Sequence, residues 1–385
     1  MLSTRKTKAV VGLDIEAGSV AAAEVASNGH TAVTKFGTAG LGAGVFRDGE
    51  VTDPEALGDA LKELFAGNKL SKNVRLGIAS QRVAVRTLQL PTIEDPKELK
   101  TAIQFQAQDQ IPMPLEQAAM DWQVVGHSTG ADGERFLDVV VVAARRDALA
   151  GLTRAMGLAG LRPVGIDLSA FGMIRALSRN SYDTVGPGGY VDAPGPSSGE
   201  DSIPEHLAGD GSAAATVEQE PKPARLYCNL GDVTNLAVAR GSTCLFTRIS
   251  PFGVEGIAQK LAERRQLTLE HARQWLVHVG LEAPVEGIEG ESELIAAARD
   301  SLAEGATRLV EELRLSLEYY AAQEDAVPVD GVVACGPGTT IPGLTERLQR
   351  DLGQRFEIGR PQALSHLDGP TAARLTVSFG LGLEE

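Results

Sequence analysis

Cysteine is scarce in this chain and shows no pairing pattern. Cys228, Cys244 and Cys335 are odd in number and have no CxxC spacing, so neither a disulfide framework nor a zinc site is indicated, and a reducing compartment is expected. Long apolar runs are missing as well. The longest aliphatic stretch, near Val139 to Ala144, is roughly a third of the ~20 residues that a membrane-spanning helix needs, so it reads as a buried strand. The positively charged start, Met1 to Lys8, has no apolar core or cleavage site behind it, and export is not expected.

Basic charge is in deficit, with 36 Lys and Arg against 51 Asp and Glu and a formal net charge of -15. Nucleic-acid phosphates would be repelled overall, which argues against that class of partner. Two catalytic signatures are absent from the chain, GxxxxGK[ST] and HExxH, which removes a Walker-type site and a zinc protease. The histidines are scattered. His271, Trp275 and His278 share a helical face but have no third ligand nearby, so they read as helix surface.

What remains is a chain of 385 residues, 43% hydrophobic, long enough for two or more lobes with separate cores. Val10 to Ile15 reads as a buried strand, and Val20 to Ala26 with Thr31 to Phe36 as a hairpin around Asn28-Gly29, a pair favoured in type I′ turns. Pro54 to Phe65 has helical spacing behind an Asp53 cap, and another helix starts near Asp95-Pro96 and stops at Ile111-Pro112-Met113-Pro114. A strand-helix-strand-strand-helix-strand unit is expected over 87 to 166. From 181 to 223 the composition turns to Gly, Pro, Ser, Asp and Glu, which reads as a disordered acidic insertion.

After the insertion the opening pattern recurs. Leu226 to Leu230, a turn at Gly231-Asp232, then Asn235 to Ala239 and Thr243 to Ile249 repeat the strand, turn and hairpin. A long helix from about Ser292 to Gln323 leads to the strand Gly331 to Cys335 and a glycine turn, Gly336-Pro337-Gly338. Two such copies are the outline expected when two lobes close on a nucleotide. Backbone N–H groups of a tight turn converge on an anion, and a carboxylate at the strand end holds Mg²⁺ through waters. Asp14, Gly18 and Ser19 supply these parts in the first lobe, with Asp14 as the candidate metal residue; Gly231, Asp232 and Thr234 supply them in the second. Bare backbone at Gly336 and Gly338 suits an adenosine.

The stretch Gly12-Leu-Asp-Ile-Glu-Ala-Gly-Ser-Val20 followed by Glu24 resembles the opening signature of the PilM family, type IV pilus assembly proteins related to FtsA. Further stretches match in order: Lys100 to Leu115, Gly160 to Asp167 with Phe171, Leu309 to Gln323, Cys335-Gly-Pro-Gly338 with Ile341 to Leu344, and Ser378 to Leu383. Only the acidic insertion falls outside. The resemblance implies an α/β, two-lobed actin-like ATPase fold, a duplicated ribonuclease-H-like architecture, with an FtsA-like inserted subdomain. Its layout would be a first lobe over 1–86, the inserted subdomain over 87–166, a return to the first lobe over 167–180, the insertion over 181–223, the second lobe over 224–370 and a terminal helix over 371–385.

The same resemblance implies ATP with Mg in the cleft, Glu312 and Ser316 of the long helix on the ribose side, and a groove near Phe105, Ile111 and Met113 for the cytoplasmic N-terminus of PilN. PilO and the pilus motor platform would follow indirectly, with peripheral attachment to the inner membrane through PilN and self-association as a further expectation. Glu16 stands where the family has glycine, Ala21 where it has lysine and Asn229 where it has aspartate. An added carboxylate repels a γ-phosphate, a lost ammonium removes an attraction, and an amide is not a base. Weak or absent hydrolysis is therefore expected. A sugar or acetate kinase of the same superfold would need a catalytic aspartate, for which Asp167 is the candidate. An FtsA-like division protein would need a basic amphipathic tail, and the chain ends Leu383-Glu384-Glu385.

Overall fold

The computed structural model describes residues 9–27, 31–47, 49–129, 133–178, 182–185, 223–323 and 326–383. The chain opens with β1 (Val10–Ile15), β2 (Ser19–Ser27) and β3 (Thr31–Gly40), then two short strands, β4 (Phe46–Arg47) and β5 (Glu50–Val51). The expected Asn28-Gly29 turn lies outside the described residues, but the register Ser27 to Thr31 makes β2 and β3 an antiparallel hairpin. Helix α1 (Pro54–Gly67) begins as the sequence predicts, with proline at its first position and the Asp53 carboxylate accepting the Ala56 N–H at 3.0 Å. Strand β6 (Asn73–Ile78) follows and pairs parallel to β1.

Next come β7 (Val83–Pro91), α2 (Pro96–Gln110), β8 (Ala118–Thr129) and β9 (Arg135–Arg145). The three strands form their own sheet in the order β7-β9-β8. Its core holds Leu88, Leu99, Ile103, Ile111, Leu137, Val139 and Val141, separate from the rest of the protein. Here the structure corrects the expected unit of 87 to 166. Helix α3 (Arg146–Leu158) packs on α1, and β10 (Arg162–Leu168) pairs parallel to β6 in the first-lobe sheet, so the separate subdomain ends at Arg145. An amphipathic helix reports that it buries a face, not which element covers it.

Helix α4 (Ser169–Ser178) precedes β11 (Tyr182–Val185), which pairs antiparallel with a later strand of the second lobe. That strand sits at the start of the segment expected to be a disordered insertion; 186–222 lies outside the described residues. The second lobe continues with β12 (Ala224–Leu230), β13 (Thr234–Arg240), β14 (Thr243–Ser250), α5 (Val254–Arg265), α6 (Leu269–Val279) and α7 (Ser292–Ala321). It closes with β15 (Val329–Cys335), α8 (Leu344–Leu352), β16 (Phe356–Pro361) and α9 (Gly369–Gly382).

The two large sheets confirm the duplication. The first runs β10-β6-β1-β2-β3 and the second β11-β16-β15-β12-β13-β14. In each, an antiparallel three-strand meander is extended on the far side of its first strand by parallel strands. Between the sheets lie α4 and α9, which cross where both backbones are bare. A Cβ on Gly380 would stand 1.8 Å from the Gly172 carbonyl, and one on Gly12 of β1 would stand 1.8 Å from the Ser378 carbonyl. Glycine at these places lets α9 lie against both α4 and β1, which seats the chain's last helix beside the first turn.

Candidate functional site

The β1–β2 and β12–β13 turns face one another at the mouth between the two sheets. Asp14 and Asn229 hold equivalent places, each one residue before the end of its strand and paired across the hairpin with Ala21 and Asn235 respectively. The turns are joined directly. The Gly18 N–H donates to Asp232 Oδ2 at 2.7 Å, and Asn229 Nδ2 donates to Glu16 Oε1 at 3.2 Å. Gly231 lets Glu16 reach this crossing, because a Cβ there would lie 2.0 Å from Glu16 Oε1 and move that carboxylate aside.

Three carboxylates therefore meet, Asp14 buried and Glu16 and Asp232 partly buried. Burial, followed by the charge of Asp232, pushes Asp14 up to about 6, against the pull of a 2.8 Å hydrogen bond from Ser169 Oγ. Burial and the Glu255 carboxylate push Asp232 up to about 6, with the Gly18 N–H, Arg273 and Arg374 opposing. Glu16 is raised well above the usual range by burial and then by Asp232 and Asp14. Two guanidinium groups border the cluster. Arg273 is held by Glu255 at 2.6 and 2.9 Å and by Glu270 at 3.3 Å, and Arg374 Nη1 donates to Ser19 Oγ at 3.0 Å.

Two cavities flank these groups. One of about 10 Å³ is bordered by Glu16, Ser19, Ala21, Asn229, Pro337 and Arg374. The other, of about 30 Å³, is bordered by Asp14, Glu16, Ser169, Asp232 and Asn235. A single water needs about 10–15 Å³ of such space, so one or two waters fit and a triphosphate does not. Asn235, 1% exposed, leaves its Oδ1 buried without a partner among the described residues. No group of three or more His, Cys, Asp or Glu side chains among the described residues could hold a metal ion.

The structure sorts the sequence-predicted residues. Asp14, Gly18, Ser19, Gly231 and Asp232 come together in one cluster, as the spacing of the two turns implies. Thr234 does not join it: fully buried, its hydroxyl donates to the Phe252 carbonyl at 2.7 Å. Ser316 is likewise spent, donating to the Glu312 carbonyl at 2.6 Å while 1% exposed, and the Glu312 carboxylate faces Arg248 at 3.8 Å. Gly336, at φ 88°, and Gly338 are needed for packing, since Cβ atoms there would meet Asn229 Oδ1 at 2.0 Å and Leu230 Cβ at 2.7 Å. In the small subdomain Ile111 is core and Met113 packs half-buried against it, leaving Phe105, 74% exposed on α2, as the free apolar side chain of the three. Asp167 is bound to the Arg175 guanidinium, which also reaches the Gly380 carbonyl at 3.0 Å.

Sequence reasoning missed Ser169, Asn235, Glu255, Arg273 and Arg374. Ser169, Glu255, Arg273 and Arg374 enter from helices remote from both turns, and Asn235, at the start of β13 beside the second turn, carries no local pattern that marks it.

Anion-directed donors are present: the Gly18 N–H, the Ser19 hydroxyl and the Arg374 guanidinium. They fit the phosphate end of a nucleotide in character. In this arrangement Asp232 already occupies the Gly18 N–H, so a nucleotide would have to displace that carboxylate and part the lobes.

A family model described as type IV pilus assembly protein PilM matches residues 12–186. The solved structure of a PilM-PilN type IV pilus biogenesis complex is similar over 98% of both chains, at 23% identity and a TM-score of 0.72. MreB 5 of Spiroplasma citri bound to AMPPNP is similar over 97% of this chain and 95% of that one, at 12% identity and a TM-score of 0.51. The fold is that of the actin-like ATPases. Among the described residues no helix is long and apolar enough to cross a membrane.

Proposed function

Because a family model described as type IV pilus assembly protein PilM matches residues 12–186, we propose that this chain is an actin-like scaffold of a pilus assembly platform. It receives the short cytoplasmic N-terminus of a PilN-type membrane protein and is thereby held at the cytoplasmic face of the inner membrane. PilO and the motor platform connect to it through PilN. The observation that carries this reading is the similarity, over 98% of both chains, to a chain of a PilM-PilN type IV pilus biogenesis complex. The inserted subdomain is the docking element, with Phe105 of α2 as its exposed apolar contact.

The cleft binds ATP in this reading and turns it over slowly or not at all. Asp14 is engaged by Ser169, and position 229 holds an amide, which is not a base for an attacking water. Kinase activity is disfavoured because the candidate base, Asp167, is tied to Arg175. The test is fluorescence anisotropy with a labelled peptide of the PilN N-terminus encoded by the same genome. Saturable binding is expected, weakened about tenfold by Phe105→Ala through loss of a buried aromatic anchor. No binding with or without ATP would overturn the scaffold reading.

A further inference from the structure

Helix α9 packs its apolar residues Ala372, Leu375, Val377, Phe379 and Leu381 into the core between the two large sheets, yet it carries one charged side chain, Arg374. That guanidinium reaches the first turn, donating to Ser19 Oγ at 3.0 Å, and it borders the cavity shared by Glu16, Asn229 and Pro337. The groups around it are acceptors or carboxylates: the Ser19 hydroxyl, Glu16 and Asp232. Among the described residues Arg374 makes no salt bridge, whereas Arg273 is committed to Glu255 and Glu270. A helix that is otherwise apolar thus delivers an uncommitted, planar, five-donor cation to the place where the first turn directs its own donors.

We propose that Arg374 is the phosphate-reading residue of this chain's nucleotide site. It binds the polyphosphate end of a nucleoside triphosphate or diphosphate beside Ser19 and the Gly18 N–H. A guanidinium forms paired, charge-assisted hydrogen bonds with phosphate oxygens that a hydroxyl cannot offer. It also offsets the carboxylates of Glu16, Asp14 and Asp232, which would otherwise repel the incoming anion. When the lobes part and Asp232 leaves Gly18, Arg374 remains on the first-lobe side with its fork directed at the turn. The inference rests on the nucleotide reading above and adds to it the group that distinguishes phosphorylated from unphosphorylated adenosine.

Calorimetric titration of the full chain with ATP, ADP and adenosine tests this, using the natural protein, Arg374→Gln and Arg374→Lys. Arg374→Gln is expected to weaken ATP and ADP about tenfold or more, the usual worth of a hydrogen bond to a charged group, and to leave adenosine within about twofold. Arg374→Lys keeps the charge without the fork and is expected to fall between. A natural protein that binds none of the three would overturn the nucleotide reading and this inference with it. A natural protein that binds ATP, with Arg374→Gln unchanged or weakened equally toward adenosine, would overturn the role of Arg374 alone. Should Arg374→Gln fail to fold, the lysine variant decides: an ATP-selective loss supports the assignment, and no loss or an equal loss contradicts it.

Discussion

The two turns that meet in the cleft share a backbone plan and divide the chemistry between them. In the first lobe the turn presents donors, the Gly18 N–H and the Ser19 hydroxyl; in the second it presents an acceptor, Asp232, and spends Thr234 on the Phe252 carbonyl. The consequence is a self-complementary closure. The carboxylate of one lobe accepts the Gly18 N–H of the other, and Asn229 ties down Glu16 beside it. A duplicated hairpin need not mean duplicated chemistry: the first copy presents donors and the second a carboxylate acceptor.

The sharpest break in the comparison lies beneath the turns. Counting back from each turn, Gly12 on β1 matches Tyr227 on β12, in register with Ala23 and Ala237. The second hairpin accepts a large side chain there and the first accepts none, because α9 lies on it. Gly12→Ala would bring a Cβ to 1.8 Å from the Ser378 carbonyl and 2.5 Å from the Gly382 nitrogen. A loss of about 3 kcal/mol is expected in urea unfolding, the upper range for overpacking.

Next in size is the pH response of the closure. Burial raises Asp14 and Asp232 from 3.8 to about 6, so the folded chain holds these protons more tightly than the unfolded one. Their stabilising contribution is fully present below about pH 4 and is lost as pH rises through about 6. For Asp232 alone a shift of this size corresponds to about 2–3 kcal/mol. Asp232→Asn is therefore expected to unfold at a higher temperature than the natural protein at pH 7, with the gap shrinking toward pH 4. A gap that is constant or widens on acidification would show that Asp232 is not a strained carboxylate.

The smallest expected effect separates the hydroxyls that end the two turns. Thr234→Val leaves the part-buried Phe252 carbonyl without this donor and is expected to cost about 1–2 kcal/mol in thermal unfolding. Ser19→Ala removes an acceptor from a partly exposed guanidinium and is expected to cost under about 0.5 kcal/mol. Equal costs would mean that the two turns are built alike after all.

Much of this fold was legible in the sequence because its signals are local. Asp53-Pro54 and Asp95-Pro96 each start a helix by capping, and the recurrence of strand, turn and hairpin at Gly231 announced the second lobe. The end of the inserted subdomain was not legible, because α3 has an apolar face whose partner, α1, is chosen by tertiary packing. The site divided along the same line. Glycines and carboxylates within the two turns were found, whereas Arg374 lies 355 residues from the hydroxyl it meets. Thr234 and Ser316 have the residue type that binds phosphate or ribose, and only the fold shows that each is already bonded to a carbonyl.

The central claim is that Asp232 stands in for an anion at the first turn. Calorimetric titration of Asp232→Asn and the natural protein with ATP in the absence of divalent cations tests it most directly. The account expects the variant to bind several-fold more tightly, because the carboxylate that competes for the Gly18 N–H and repels phosphate has gone. Weaker binding by the variant would contradict it, since Asp232 would then be part of the grip on the nucleotide and not its competitor.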